Sequence, residues 1–326
     1  MANYLIKRIL MLFPLLLGIT LITFTVIHLA PGEPVEMQVS MSPKVSAASR
    51  ARLREFYGLD KPLHVQYGRW LSHLVRFDFG RSFAPDNRPV TNKIVERIPI
   101  TLSLNIIALI LEFGLAIPIG ILAAVHRDTL LDRAISVFVF LGFAIPTFWL
   151  ALLCMYVFGV QHNVLPISGL HSMGSDRLPA LARYWDMGRH LLLPVAIATF
   201  GSLAGLSRYM RSTMIEVLSQ DYVTTARAKG VKERTVIYKH ALKNALLPVI
   251  TLLGFSLPGL IGGSVIFETI FAIPGMGQLF YQGVMARDYP LVMGILVIGA
   301  CLTLVGNLLA DLCYAFADPR IRHGRG

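Results

Sequence analysis

Ile98-Pro-Ile-Thr-Leu-Ser-Leu-Asn-Ile-Ile-Ala-Leu-Ile-Leu-Glu112-Phe-Gly-Leu-Ala-Ile-Pro-Ile-Gly-Ile-Leu-Ala-Ala-Val125 carries a single ionisable side chain, Glu112. A helix of about 20 largely apolar residues crosses a bilayer, so this stretch predicts a membrane span. Five further blocks of the same kind flank it, at roughly Ile9 to Ala30, Ile135 to Val160, His190 to Met210, Ala245 to Ala272 and Leu291 to Ala317. The expectation is an all-α polytopic membrane protein with about six transmembrane helices, forming a single domain over residues 1–326.

Composition agrees. Of 326 residues, 55% are hydrophobic and only 15% charged, and the mean hydropathy is +0.61. Soluble domains carry about 25% charged residues. The formal net charge of +11 does not point to nucleic acid, because the basic residues lie mainly between apolar blocks, where membrane topology places them. Lys7, Arg8, Arg127, Arg133, the basic cluster from Arg208 to Lys243, Arg320, Arg322 and Arg325 fall on one side. Arg177, Arg183, Arg189 and Arg287 fall in the short segments of the other side. The excess predicts cytoplasmic N- and C-termini. The first block follows Lys7 and Arg8 as a signal peptide would, but it is longer than an h-region and ends in His28-Leu-Ala-Pro-Gly32, so a retained anchor is expected. Cys154, Cys301 and Cys313 form no CxxC and read as buried, reduced thiols.

Two polar segments interrupt the apolar blocks. Residues 31–97 show helical patterning in Ala47 to Tyr57 and Val65 to Val75, with apolar positions at Phe56, Tyr57, Trp70, Leu71 and Phe79. They predict a small external subdomain between the first two spans. Residues 210–244 form a long cytoplasmic loop of strong helical propensity. Gly230 divides it, because glycine breaks helices and permits positive φ. Two short helices joined there make a compact knob with a basic exposed face. The basic face alone is equally met by a loop that fixes topology and touches anionic lipid headgroups.

Several chemistries have no sequence support. There is no Gly-Lys dipeptide, hence no GxxxxGK[ST] phosphate loop to hold ATP. HExxH and GxSxG are absent too, which removes the zinc-protease and serine-hydrolase signatures. No internal repeat of the kind common in self-sufficient carriers is visible.

Thr224-Thr-Ala-Arg-Ala-Lys-Gly230 is similar to the EAA loop of ABC importer permeases, whose pattern is Glu-Ala-Ala, three residues, then Gly. Thr224, Thr225 and Ala226 occupy the first three places and Gly230 the last. The Glu and first Ala are replaced, and His240-Ala-Leu-Lys243 stands where Ile-x-Leu-Pro usually follows, with the proline later, at Pro248. Thr-Ala-Arg-Ala-Lys-Gly followed by His-Ala-Leu-x-Asn-Ala resembles the variant of the dipeptide, oligopeptide and nickel branch. Gly58-Leu-Asp-Lys-Pro-Leu, Phe77-Asp-Phe-Gly-Arg-Ser82, Ile145-Pro-Thr-Phe-Trp-Leu150, Ile273-Pro-Gly-Met-Gly-Gln278, Arg287-Asp-Tyr-Pro290 and Asp318-Pro-Arg-Ile-Arg322 resemble other segments of that branch, in order along nearly the whole chain. The longer first external segment resembles its "B"-type subunit.

The resemblance implies a type I importer permease of a bacterial or archaeal cytoplasmic membrane, forming half of the pathway for peptides. Di- and oligopeptides, glutathione and nickel chelates all remain open as cargo, peptide being expected. It implies a "C"-type permease partner, two ATP-binding subunits that carry ATP and Mg, an external solute-binding protein that the segment 31–97 helps to dock, and membrane lipid around the spans. No cofactor, metal or nucleic acid is implied for this chain, and it is not expected to be an enzyme. It also implies that Thr224, Thr225, Ala226, Arg227, Ala228, Lys229 and Gly230 couple to an ATP-binding subunit. A small residue at Ala226, on the face of Gly230 if the helix persists that far, would admit a partner surface.

Inside the spans, Glu112 stands out, since a buried carboxylate is costly and faces the bundle interior or water. It reads either as a structural group bonded to a neighbouring span or as a pathway residue meeting a substrate amino group. Gly254, Pro258, Gly259, Gly262 and Gly263 read either as close packing or as a hinge in a pathway-lining span. Asp311 lies nearer a span end, where solvation is easier. The alternative function is a self-sufficient proton-coupled peptide carrier or channel driven through Glu112.

Overall fold

The computed structural model describes the backbone of residues 2–32, 34–35, 47–257 and 259–317, with side chains for 10–32, 34–35, 48, 50–257 and 259–308. Pro258 and the Asp318 to Arg322 motif lie outside the described residues, as do the side chains of Lys7, Arg8, Asp311 and Cys313. Among the described residues the elements are helical apart from one isolated antiparallel bridge, Arg81 to Pro89.

The principal helices are α1 (Ala2–Leu29), α2 (Ala47–Phe56), α3 (Leu63–Leu74), α4 (Val90–Val125), α5 (Leu130–Ala144), α6 (Thr147–Cys154), α7 (Ala180–Leu218), α8 (Asp221–Ala228), α9 (Leu242–Ser256), α10 (Val265–Ile270), α11 (Met276–Met285) and α12 (Tyr289–Ala317). Among the described residues five helical segments are long and apolar enough to cross a membrane, or up to six if one bent pair counts as a span. Their outward faces remain apolar. On α1, Leu10, Phe13, Ile22 and Val26 are all exposed, and so large an exposed apolar surface suits lipid rather than water.

Three expected spans are corrected. The third breaks: α5 and the helix beginning at Thr147 meet at 95°. Pro146 lacks the N–H that would continue the ladder and pushes the residue before it out of the helical region, and Ile145 is extended at φ −87, ψ 123. Beyond Cys154 the chain continues as a π-helical stretch, Met155–Gln161. The fifth also breaks. α9 ends at Ser256, and the expected C-terminal part of that span belongs to α10, after a four-residue turn Gly259–Gly262 and a left-handed Gly263 (φ +66). The second starts eight residues early, because α4 begins at Val90, inside the segment read as external. With 36 residues at 1.5 Å each, α4 is about 54 Å long, well beyond the roughly 30 Å hydrocarbon core. The 39-residue α7 likewise overshoots.

By packing, the chain comprises two compact units. The first comprises Met1–Thr101, Ile261–Val265 and Pro274–Val305. α2 lies within the helical stretch the sequence predicts, and α3 begins two residues before its predicted stretch, at Leu63. Their apolar residues do not form a core of their own. Trp70, Tyr67, Leu59 and Phe83 pack around Phe24 of α1 and Tyr289 and Met293 of α12. Phe79, Val90 and Ile94 join Met276, Leu279, Leu291 and Ile295 in a second cluster. Gly277 admits the backbone of Ser264 and Val265 so closely that a Cβ would lie 2.6 Å from it.

The second unit comprises Leu102–Leu260, Ile266–Ile273 and Gly306–Gly326. Its core joins Ala116, Ile121 and Ala124 of α4 to Leu203, Leu206, Met210 and Met214 of α7 and to Ala245 and Val249 of α9. Met210 and Met214 are fully buried. Gly120 lets α4 and α7 touch, since a Cβ there would lie 2.6 Å from the Met210 Cβ and 2.8 Å from the Ser207 carbonyl. α5 is held to α7 by Phe138 against Phe200, edge on at 5.4 Å, and by Gly142, which faces the Phe200 carbonyl.

Candidate coupling loop and span residues

The knob begins where α7 stops. Gln220 is extended (ψ 148), and Asp221 sits in the first turn of α8, where a carboxylate suits the helix dipole. α8 runs to Ala228 and closes on Gly230 at φ +75. The Gly230 N–H donates to the Arg227 carbonyl at 2.9 Å and the Val231 N–H to the Ala226 carbonyl at 3.3 Å. These two bonds define a Schellman cap, so Gly230 is selected for its backbone. A Cβ there would meet nothing within 4 Å, and the strain of substitution is conformational rather than steric.

Past Gly230 the chain folds back through Glu233–Thr235 and a π-helical stretch, Val236–Ala241, into α9. Val223, Ala226 and Val236 form a small core with Leu218 and Val231. Arg227 clips the two sides of the glycine together, its Nη2 2.7 Å and its Nε 3.2 Å from the two Glu233 oxygens. Tyr222 accepts a 2.7 Å hydrogen bond from the Asn244 Nδ2, which ties α8 to α9. Ile237 and Ala241 of the π-helical stretch belong to the same core as Met210 and Met214. The loop is thus continuous with the packing of the spans.

The seven residues predicted for coupling therefore do different things. Thr224, Thr225, Ala228 and Lys229 are exposed and form the outward face. Arg227 is engaged by Glu233, and Gly230 makes the turn. Ala226 is buried under the helix at 8% exposure. The helix does not persist to Gly230, so the shared face expected for Ala226 and Gly230 is not formed, and the small size of Ala226 serves the internal core.

Glu112 is half-buried on α4 and hydrogen-bonded to Ser202 of α7. Ser202 in turn bonds the carbonyls of Ala198 and Thr199. Gly254 is buried in α9, while Gly262 is exposed in the turn Gly259–Gly262. Gly254 belongs to the second unit, Gly262 and Gly263 to the first.

Sequence reasoning missed the ion pair across α5 and α7. Arg211 grips Asp132 through Nε to Oδ1 at 2.8 Å and Nη2 to Oδ2 at 2.7 Å, and the Asp132 side chain is 5% exposed. The N-cap Thr129 before Asp132 was a visible helix-start signal. Also missed was Asp288, buried at 1% exposure and bonded to Ser82, to the Phe83 N–H and to the Leu291 N–H. It brings Phe77-Asp-Phe-Gly-Arg-Ser82 and Arg287-Asp-Tyr-Pro290 together. The described residues include no cluster of three or more His, Cys, Asp or Glu side chains able to hold a metal.

Membrane-length apolar helices with a packed polar loop between two of them define an all-α polytopic membrane protein. The family model for the binding-protein-dependent transport system inner membrane component matches residues 116–323, and the N-terminal model of the same transport systems matches residues 1–105. The chain belongs to this family, as a multi-pass component of the cytoplasmic membrane. An oligopeptide transport system permease protein of Bacillus subtilis is 44% identical, with 99% of this chain and 100% of that protein covered. A putative peptide permease protein of Brucella suis is 41% identical, with 99% of each covered. A dipeptide transport system permease protein of Alkalihalophilus pseudofirmus is 36% identical over 99% of this chain and all of the relative. Among solved structures, an inward-facing MetNI methionine ABC transporter chain superposes with a TM-score of 0.55 at 19% identity, over 70% of this chain and 97% of that one. That likeness is one of fold.

Proposed function

We propose that this chain is one of two permease subunits of an ATP-driven peptide importer. The observation that carries the reading is the full-length match to relatives named as oligopeptide and dipeptide permeases. On this reading a second, "C"-type permease completes the pathway, an external binding protein delivers di- or oligopeptides, and two ATP-binding subunits supply ATP hydrolysis with Mg. Both termini and α8 face the cytoplasm. The segment 31–97 faces outward and helps dock the binding protein, and Glu112, Gly254, Pro258, Gly262 and Gly263 border the pathway.

The exposed face of α8 is the proposed seat of an ATP-binding subunit. The Schellman cap, the Arg227–Glu233 clip and the Tyr222–Asn244 bond support this, because they hold that face rigid against α9. Motion of a docked subunit would then be passed to the spans through the core around Met210 and Met214.

The test is reconstitution in liposomes with the partner permease, the ATPases and the binding protein. Uptake of a labelled dipeptide should require both ATP and the binding protein. Gly230→Glu or Ala226→Asp should abolish uptake and ATPase pull-down while the protein still inserts. Uptake driven by a proton gradient without ATP would instead establish the self-sufficient carrier.

A further inference from the structure

A cavity of about 580 Å³ opens between α4, α5 and α7 in the second unit. Its walls are apolar along most of their length, with Ile119, Ile135, Val139 and Phe143 among them. One end is different. Arg208 and Ser136 line it, beside the Asp132–Arg211 pair. The charge of Arg211 is answered by Asp132, whereas Arg208 is exposed and forms no ion pair among the described residues.

The dimensions match a particular occupant. Ile135 and Phe143, the outermost lining residues on α5, stand eight residues apart, which is about 12 Å at 1.5 Å per residue. Half of a bilayer's hydrocarbon core is about 15 Å. The groove therefore holds most of the length of an acyl chain crossing one leaflet. Its cationic end lies at the start of α5 and toward the α8 end of α7, which on the orientation proposed above is the cytoplasmic end of the spans, where headgroup phosphates sit. A basic pocket between spans at that level selects anionic lipid.

We infer that this groove is a binding site for one anionic phospholipid. The phosphate meets Arg208 and the Ser136 hydroxyl, and an acyl chain lies along Ile135, Val139 and Phe143. Gly205, which lines the groove and has nothing within 4 Å of where a Cβ would stand, leaves the space open. The lipid becomes a wedge between α5 and α7, beside their ion pair. The site does not depend on what the subunit transports.

The experiment uses the assembled transporter, purified from membranes and incubated in mixed micelles of phosphatidylglycerol and phosphatidylcholine, with bound lipid counted by mass spectrometry. The wild type should retain phosphatidylglycerol in preference to phosphatidylcholine, about one molecule per copy of this chain. Arg208→Gln should lose the preference by roughly tenfold while still holding lipid. Gly205→Leu, which fills the groove, should lose both lipids. Inorganic phosphate at 50 mM should not displace the lipid, since the acyl chain carries part of the binding. Equal retention by all three proteins would overturn the assignment. So would displacement by phosphate alone. Lipid bound by the isolated chain but absent from the assembled transporter would give the groove to a partner subunit and overturn it as well.

Discussion

The Phe83 backbone N–H donates to Asp288 Oδ1 at 3.0 Å, although the two residues are 205 positions apart. The same oxygen receives the Leu291 N–H at 3.3 Å, and the other carboxylate oxygen takes the Ser82 hydroxyl. One buried carboxylate therefore both caps α12 and fixes the strap that follows α3. Asp288→Ala leaves these donors unanswered. Hydrogen bonds to charged groups contribute about 1.5–3 kcal/mol each, so a loss of roughly 3 kcal/mol is expected. Hydrogen exchange should speed up at Ser82 and Phe83 while α8 stays protected. Unchanged exchange at both would refute the pinning role.

The Asp132–Arg211 pair should be unforgiving of single changes. Removing one partner of a buried pair strands the other charge, at about 3–5 kcal/mol. Arg211 is 30% exposed, so roughly 2 kcal/mol is expected for Asp132→Ala. Arg211→Met with Asp132→Leu should recover most of it, because an apolar pair strands no charge. The check is thermal unfolding of the purified complex, in which the double variant should melt above either single one.

Gly230 should tolerate substitution in the order Asn, Ala, Val. A left-handed backbone costs a non-glycine residue about 1–2 kcal/mol, asparagine the least, and a β-branched residue more than alanine. Since there is room for a Cβ, the ranking should follow φ preference and not volume. Peptide uptake by the reconstituted transporter measures it. An order set by side-chain size would contradict the conformational account.

Acid should loosen the strap after α3. The Gly80 N–H, and then His73, bond the Asp78 carboxylate and hold its pKa below the usual carboxylate range. A depressed folded pKa stabilises the fold above the unfolded pKa, and this contribution is lost as pH falls through the folded value. Pepsin cleavage beside Phe77 or Phe79 should therefore set in only below the ordinary carboxylate range. In Asp78→Asn it should proceed across the whole acid window. Identical pH profiles for both proteins would remove Asp78 from the account.

Much of this architecture was legible from hydropathy and helix-breaking residues. The apolar blocks became helices, Ala47 to Tyr57 holds α2 and Val65 to Val75 most of α3, and Gly230 divides the knob as its chemistry demands. Hydropathy is blind to direction, however. It sums across Pro146, where the chain turns by 95°, and across Gly263, where α9 has already ended. Glu112 was conspicuous because charge is rare in a span, but its partner Ser202 belongs to another helix and carries no sequence signal. Asp132 and Arg211, 79 positions apart, look like ordinary basic-loop residues until α5 and α7 lie side by side. Ala226 is ambiguous in sequence for a related reason. A small residue marks a close approach, and the sequence does not say whether the approaching surface belongs to the same chain.

The Schellman cap and the Arg227–Glu233 clip have a thermodynamic consequence for whatever docks on α8. Ordering a residue's backbone takes about 1–2 kcal/mol of conformational entropy. A disordered loop would lose that freedom at every docking event and weaken association by the same amount. Here the freedom is surrendered once, during folding. Affinity for the knob is then governed by the surface itself, which can be weak enough to release or tight enough to persist without any change in the loop's shape.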